Sequence, residues 1–450
     1  MVGREPEEVK TEEHEEALQR TAAIDVAKAS GMVCTRVPDE SKLGGRSTKV
    51  WQLPSTTGAI LDLAEQLAAE QIERVVLEST SDYWRPFFYL LEARGLTVWL
   101  VNAEQVKQVP GRPKTDKLDA VWLCKLNERG MLRPSFVPPS EIRQLRDYTR
   151  MRFDLTQERN RHRQRAEKLL EDALIKVSNV ATDLFGVSGR AMMEALIAGE
   201  RDPKELAELA KGRMKAKKPA LREALRGRFD DHHAELLRIL LDKNDALSAD
   251  MDWLTARIEA LLAAMPAAQL PPNRPSGSEA SSGGGLPPLP AAERLDEITG
   301  IGTIAAQTVI AEVGLDMDRF GTAGRLVSWA KFSPRTIQSG SKRREAGPGK
   351  GNPYLKAVLG EAAAAVASTD TFLGERYRRI AKRRGKAIAL VAVAKSILVI
   401  VWHLLADPYA RFQDLGPGFY ASRVNNDRKV RNLVHQLEAL GLVATITPAA

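Results

Sequence analysis

The chain has 450 residues, 44% of them hydrophobic, with a net charge of +8 and a pI near 9.3. That length exceeds one ordinary core, so two or more domains are expected, and the apolar content excludes general disorder. The only cysteines, Cys34 and Cys124, exclude a disulfide framework and a cysteine-rich zinc site, and they suit a reducing, cytoplasmic setting.

In chain order, residues 1–20 are acidic and lack an apolar core, which predicts a disordered tail rather than a secretory or transit peptide. AAIDVAKASGMVCTRV predicts two strands in a hairpin, and KVWQLPST a third. TGAILDLAEQLAAEQ places Ile60, Leu63, Ala64 and Leu67 on one helical face. The apolar strand RVVLEST, the helix DYWRPFFYLLEARG closed by Gly95, the strand LTVWLVN and the helix TDKLDAVWLCKLNERG follow. A hairpin followed by strands alternating with helices predicts a mixed α/β domain over 21–138. Residues 139–265 carry almost no strand signal and predict two long antiparallel helices, a coiled-coil segment. Pro, Gly and Ser dominate 266–293, a flexible linker. A compact helical domain with a short irregular basic loop is expected over 294–430, then a C-terminal helix and tail over 431–450. The apolar run 387–406 is interrupted by Lys395, Ser396 and His403 and reads as a buried helix rather than a bilayer span.

Four acids stand out in the first domain. Asp25 lies inside the apolar strand AAIDV, where a carboxylate costs several kcal/mol unless it is paired or binds a metal. Glu78 ends the strand VVLE, the end at which open α/β sheets place ligands. Asp116 and Asp119 share one face of a first helical turn, where Thr115 is positioned to cap and Asp116 also favours the helix N-terminus. Taken singly, each acid fits a cap or a surface ion pair. Taken together, they fit two Mg²⁺ ions at a phosphodiester. Arg112, Lys114 and Lys117 would then guide the phosphate backbone.

The second half adds a basic surface. Between Lys331 and Lys386, 14 Lys and Arg stand against four acids, a skew suited to a polyanion. ERLDEITGIGTIAAQTVIAEVG resembles the helix-hairpin-helix motif, with Gly300, Gly302 and Thr303 at a turn that offers backbone N–H groups to phosphate. Downstream, Ser339 and Ser341 flank Gly340, with Arg335, Lys342, Arg343, Arg344 and Lys350 around them. A serine beside a scissile phosphate can form a covalent phosphoserine link when cations assist it. His162, His232 and His233 lack ligand spacing and read as solvated.

IDVAK, LESTSDYWRP, VNAEQVKQVPGRPKTDKLDAVWLC, ITGIGTIAAQTVIAEVG and FSPRTIQSGSKRREAGPGKGNPYLKAVL together resemble the transposases of the IS110 family of insertion sequences, over about 21–420 and in the expected order. The resemblance implies an RNase H-like (RuvC-like) N-terminal domain, a helical coiled-coil segment and a C-terminal transposase domain. It places the DEDD acid set on Asp25, Glu78, Asp116 and Asp119, and the nucleophile on Ser339 before Ser341. It further implies Mg²⁺ as cofactor, donor and target DNA sites, a structured non-coding guide RNA (a bridge RNA), and dimers that pair into a tetramer. The acidic tail and the Pro/Gly/Ser linker are longer than the family pattern. Two other readings share these residues: a RuvC-like Holliday-junction nuclease, needing the acids but no serine, and a non-catalytic nucleic-acid-binding protein, in which Asp25 and Glu78 are structural.

Overall fold

The computed structural model describes residues 18–443 apart from 40, 42–43, 79–80, 103–114, 270–287, 340–341, 348 and 424–425. The chain divides into two compact units, 1–138 and 139–450. The expected acidic tail up to residue 17 and most of the expected linker lie outside the described residues.

The first unit is built on a five-stranded sheet of order β3-β2-β1-β4-β5. Its strands are β1 (Thr21–Val26), β2 (Ser30–Pro38), β3 (Arg46–Pro54), β4 (Arg74–Glu78) and β5 (Val98–Val101). The first three run antiparallel, and β4 and β5 are parallel to β1. This is the mixed sheet that the sequence pattern predicts, of the RNase H-like kind that the family resemblance implies. Strand alternation sends Ile24, Val26, Val33, Val75 and Leu77 to one face, against α1 (Thr57–Ala69) and α2 (Trp84–Ala93). Ala23, Cys34, Val76 and Val101 take the opposite face, under α3 (Asp116–Glu128). Because β4 is covered on both sides, all five of its residues are buried, the charged Arg74 and Glu78 at its ends as well as the apolar Val75, Val76 and Leu77 between them. Phe87 is fully buried, and such a side chain contributes about 1.5–3 kcal/mol. Its ring lies where a Cβ on Gly31 would come within 2.9 Å, so the β1–β2 hairpin needs glycine there.

In the second unit, α4 (Ser140–Asp172) and α8 (Asp231–Ala264) form the expected antiparallel pair. Their seam is largely polar. Arg152 donates to Thr255, Thr156 to the Met251 sulfur, Arg159 to Ser248 and Arg163 to Asn244, one residue number rising as its partner's falls. Between them, α5 (Val187–Ile197), α6 (Pro203–Glu208) and α7 (Lys218–Ala224) enclose a separate core that the coiled-coil reading did not include, with Met192, Met193, Leu196, Leu206 and Leu221 at its centre. His162 and His233 are buried, not solvated; His232 is exposed.

The remainder packs α9 (Ala291–Asp296), α10 (Thr303–Val313), α11 (Ala323–Trp329), α12 (Pro353–Val366) and α13 (Phe372–Arg384) around α14 (Lys386–Ala406). At a mean hydropathy of 2.3, α14 is by length and composition apolar enough to cross a bilayer, but its inner face, including Val393, Ile397, Leu398 and Val401, fills this core, as expected of a buried helix. The expected irregular basic loop is a hairpin, β6 (Arg335–Ser339) against β7 (Lys342–Ala346). The β-branched Thr336 and Ile337 favour extended backbone. The short α15 (Phe419–Ser422) and the amphipathic α16 (Asn426–Ala439) follow.

Candidate active site

The register of two strands sets the first pair of acids. On parallel neighbours β1 and β4, Ile24 lies opposite Leu77, so Asp25 and Glu78 occupy the next adjacent positions. Each is two residues beyond a side chain of the α3-facing layer, Ala23 and Val76, so both belong to that face. Glu78 is only 7% exposed, and among the described residues its carboxylate has no hydrogen-bond or ion-pair partner. Leaving such a group unsatisfied costs several kcal/mol.

The second pair arrives on α3. The helix docks through Ala120, Leu123, Cys124 and Asn127, and Asp116 and Asp119 continue this stripe one turn toward the N-terminus. Thr115 caps the helix by accepting from the Leu118 N–H at 3.3 Å. The far end is pinned. Asn127 donates to the carbonyls of Ala22 (3.3 Å) and Arg74 (3.2 Å), and Glu128 pairs with Arg36 (2.7 Å) and Arg46 (3.2 Å). Asp116 is exposed and Asp119 half-buried. Among the described residues, no three of the four carboxylates bring ligand oxygens within 4.8 Å of one another. Strand register thus sets Asp25 and Glu78 side by side, and α3 carries Asp116 and Asp119 over the same face, without a closed cage. An all-oxygen acidic donor set of this kind fits a hard divalent cation. Of the neighbouring cations, Lys117 is exposed on the first turn of α3, whereas Arg112 and Lys114 lie outside the described residues.

Among the described residues, the one group of metal-ligand spacing lies elsewhere, at Asp230, His232 and His233. Here the His233 Nδ1 accepts from the Asp230 N–H at 3.2 Å, closing a capping box on α8. That bond leaves the proton on Nε2, 3.5 Å from the Asp172 carboxylate, so His233 has no lone pair for an ion. The cluster is a helix cap.

In the second unit, Ser339 ends β6 and pairs with Lys342; Gly340 and Ser341 lie outside the described residues. Arg335 is paired with Ala346, Gln338 with Arg343 and Ile337 with Arg344. Lys350 is exposed beyond the hairpin. Gly300, at φ +90°, and Gly302 turn the chain from α9 into α10, and Thr303 with Gly302 is exposed at that tip. A Cβ on Gly300 would lie 2.6 Å from the Ala362 carbonyl of α12, so this glycine also permits close helix packing. The Thr303 hydroxyl lies 3.4 Å from the Asp296 carboxylate, which reduces the tip's attraction for an anion.

Sequence reasoning missed the anchor beneath the hairpin. Glu312, fully buried, receives two hydrogen bonds from Arg150 at 2.8 and 2.9 Å and lies 3.4 Å from Arg146. The Asn352 side-chain amide also donates to it, while Asn352 caps α12 by accepting from Tyr354 and Leu355. Glu312 thereby ties α4 and α10 to the first turn after the hairpin. The Asn-Pro pair at 352–353 was the available signal, an N-cap followed by proline at the first helical position.

Two family models match the chain. One, described as a transposase of the IS110 DEDD type, covers residues 22–175; the other, described as the transposase IS116/IS110/IS902 family, covers 292–378. No curated protein matches. Among solved structures, the chain is similar to Thermus thermophilus RuvC (13% identity, TM-score 0.21) and to T. thermophilus RuvC in complex with Holliday junction substrate (14%, 0.20). Each match covers 26% of this chain and 100% of the other, and scores this low carry no argument for fold or activity. The family assignment rests on the two models, which together take in more than half of the 450 residues, the first reaching through α4. By these matches the chain belongs to the IS110 family of transposases.

Proposed function

We propose that this transposase exchanges DNA strands by two linked chemistries, an acid set at Asp25, Glu78, Asp116 and Asp119 and a nucleophile at Ser339. The observation that carries the reading is the adjacent placement of Asp25 and Glu78 on the face beneath α3, with Glu78 buried and unpartnered. The four acids would hold Mg²⁺, which when bound offsets charge on the scissile phosphate and polarises its P–O bonds. The protein's own part is positional. Strand register and the capped first turn of α3 direct oxygen ligands to one side of the sheet.

Ser339 Oγ then attacks phosphorus. The Oγ–P bond forms as the bond to one strand's oxygen breaks, and the serine proton passes to that leaving oxygen. Attack by another strand's hydroxyl reverses the exchange, rejoins the backbone and restores the serine, with no external energy source. A structured non-coding RNA chooses the two DNA sites, and subunits pair into dimers and tetramers, as the family resemblance implies. Cations from Arg335 through Lys350, with Gly300, Gly302 and Thr303, hold the strands.

The test is Ser339→Ala in a strand-cleavage assay with DNA binding measured in parallel. Loss of cleavage with binding retained supports the recombinase. Full cleavage by this variant would instead establish a RuvC-like nuclease that needs only the acids. Should Asp25→Asn with Glu78→Gln leave every activity in place, neither catalytic reading stands and the protein is a nucleic-acid-binding module.

A further inference from the structure

The most concentrated positive charge in a described concave surface lies beyond the serine hairpin. Arg376, Arg379, Lys382, Arg383 and Arg384 of α13, with Tyr420 of α15, line a cleft of about 450 Å³. Arg376, Arg379 and Arg383 recur at helical spacing along one face, where like charges repel. The helix dipole accounts for Lys382, Arg383 and Arg384 in the last turn, but not for Arg376 and Arg379 further inside.

Among the described residues no acid neutralises this set. The acids at the start of the helix, Asp370 and Glu375, are engaged by Arg378 at 3.4 and 3.1 Å. Among the described residues none of the five lining cations has an ion-pair partner. Two of them are nevertheless held in place. Arg376 donates from Nη1 to the Tyr420 hydroxyl at 2.9 Å, and the Arg379 guanidinium lies 4.2 Å above the Tyr420 ring. That ring is itself stacked on Phe372 at 5.2 Å and 15°. The Arg376 Nε is shielded from water and has no partner. Crowded cations without an acidic partner in one cleft, two of them held in place, favour an anion of several charges.

We propose that this cleft clamps the phosphodiester backbone of a nucleic-acid strand. Tyr420 has one face on Phe372 and the other under Arg379, so no aromatic face is left for a base to stack on, and the grip is on the charged backbone. The inference rests on the transposase reading for the existence of a strand, but not on its serine chemistry.

The experiment compares the full chain with Arg379→Gln/Arg383→Gln/Arg384→Gln. Anisotropy of a labelled scrambled DNA duplex and of a labelled scrambled single-stranded RNA is followed over a potassium chloride titration. The variant is expected to bind about tenfold more weakly, with a log affinity–log salt slope shallower by about 2, since each duplex phosphate contact contributes roughly 0.9 and each single-strand contact roughly 0.7. A change confined to one probe assigns the cleft to DNA or to RNA. An unchanged slope on both overturns the proposal. So does an equal loss in Lys211→Gln/Arg213→Gln/Lys215→Gln, which removes three exposed cations from the lobe between α6 and α7. Should the triple variant fold poorly, the exposed single variant Arg383→Gln is expected to reduce the slope by about 1, and no reduction there overturns the clamp. Ser339→Ala abolishes cleavage under the proposed mechanism but leaves this slope intact, so failure of the clamp and failure of the chemistry are separate results.

Discussion

Replacing Glu78 by glutamine should stabilise the ion-free protein and remove most of its response to magnesium. Adjacent parallel strands lie about 4.8 Å apart, so two carboxylates at Asp25 and Glu78 repel by about 3 kcal/mol at an effective dielectric constant near 20. Asp25 is partly exposed, and screening reduces this to about 1–2 kcal/mol. The buried, unpartnered Glu78 carboxylate adds a desolvation cost of about 1–3 kcal/mol, part of which a neutral amide retains. The net gain expected for Glu78→Gln is about 1–3 kcal/mol, or about 3–6 °C per kcal/mol in the melting of a unit of this size. Calorimetry of the full chain in EDTA measures it. Magnesium at a hundredfold excess over its Kd should then stabilise the wild type by about 2.7 kcal/mol and the variant far less. A variant that is destabilised in EDTA and keeps the full magnesium shift would refute the argument that this carboxylate awaits a cation.

Glu312→Gln leaves Arg146 and Arg150 facing a neutral amide in a buried site, and a loss of about 3–5 kcal/mol is expected in urea unfolding of the second unit. Glu297 behaves differently with pH. Its hydrogen bonds from Arg411 hold its carboxyl below the ordinary glutamate value, so its stabilisation is present above roughly pH 4.3 and is lost as pH falls through the lower folded value. Glu297→Gln should therefore destabilise at neutral pH and progressively less as pH falls through the lowered folded value, compared by thermal melts at each pH. The Cys34 thiol is pushed up, first by its hydrogen bond with Cys124 and then by burial. Neither buried cysteine should react with a thiol reagent until denaturant opens the first unit, and rapid labelling of the folded chain would contradict this.

How far these features were visible in the sequence depended on whether one period dominated locally. The first unit was legible because β1, β4 and β5 are apolar strands bounded by turn residues, and because Asp25 breaks the pattern of its strand while Glu78 ends that of its own. The lobe between α4 and α8 was not, because its helices α6 and α7 run only 6 and 7 residues, too short for a face to repeat. The α4–α8 seam hid for another reason. Arg152, Arg159 and Arg163 donate hydrogen bonds across it to Thr255, Ser248 and Asn244, so polar residues stand where a coiled-coil pattern expects leucine. Glu312 was passed over because a glutamate near a helix end is ordinarily at the surface, and nothing nearby in sequence reveals Arg150.

The two halves of the acid set are held by different physics, and this bears on how the site works. Asp25 and Glu78 are fixed by the β1–β4 ladder, which cannot slip by one residue without moving Ile24 and Leu77 out of a packed layer. Asp116 and Asp119 depend on the docking of a single helix. Its firmest polar anchors, Asn127 and Glu128, lie about 16 Å further along the axis, at 1.5 Å per residue. A small tilt about those anchors moves the first turn of α3 most and the strand acids not at all. The open geometry, with no three of the four carboxylates converged among the described residues, therefore joins a pair fixed by strand register to a pair carried by one helix.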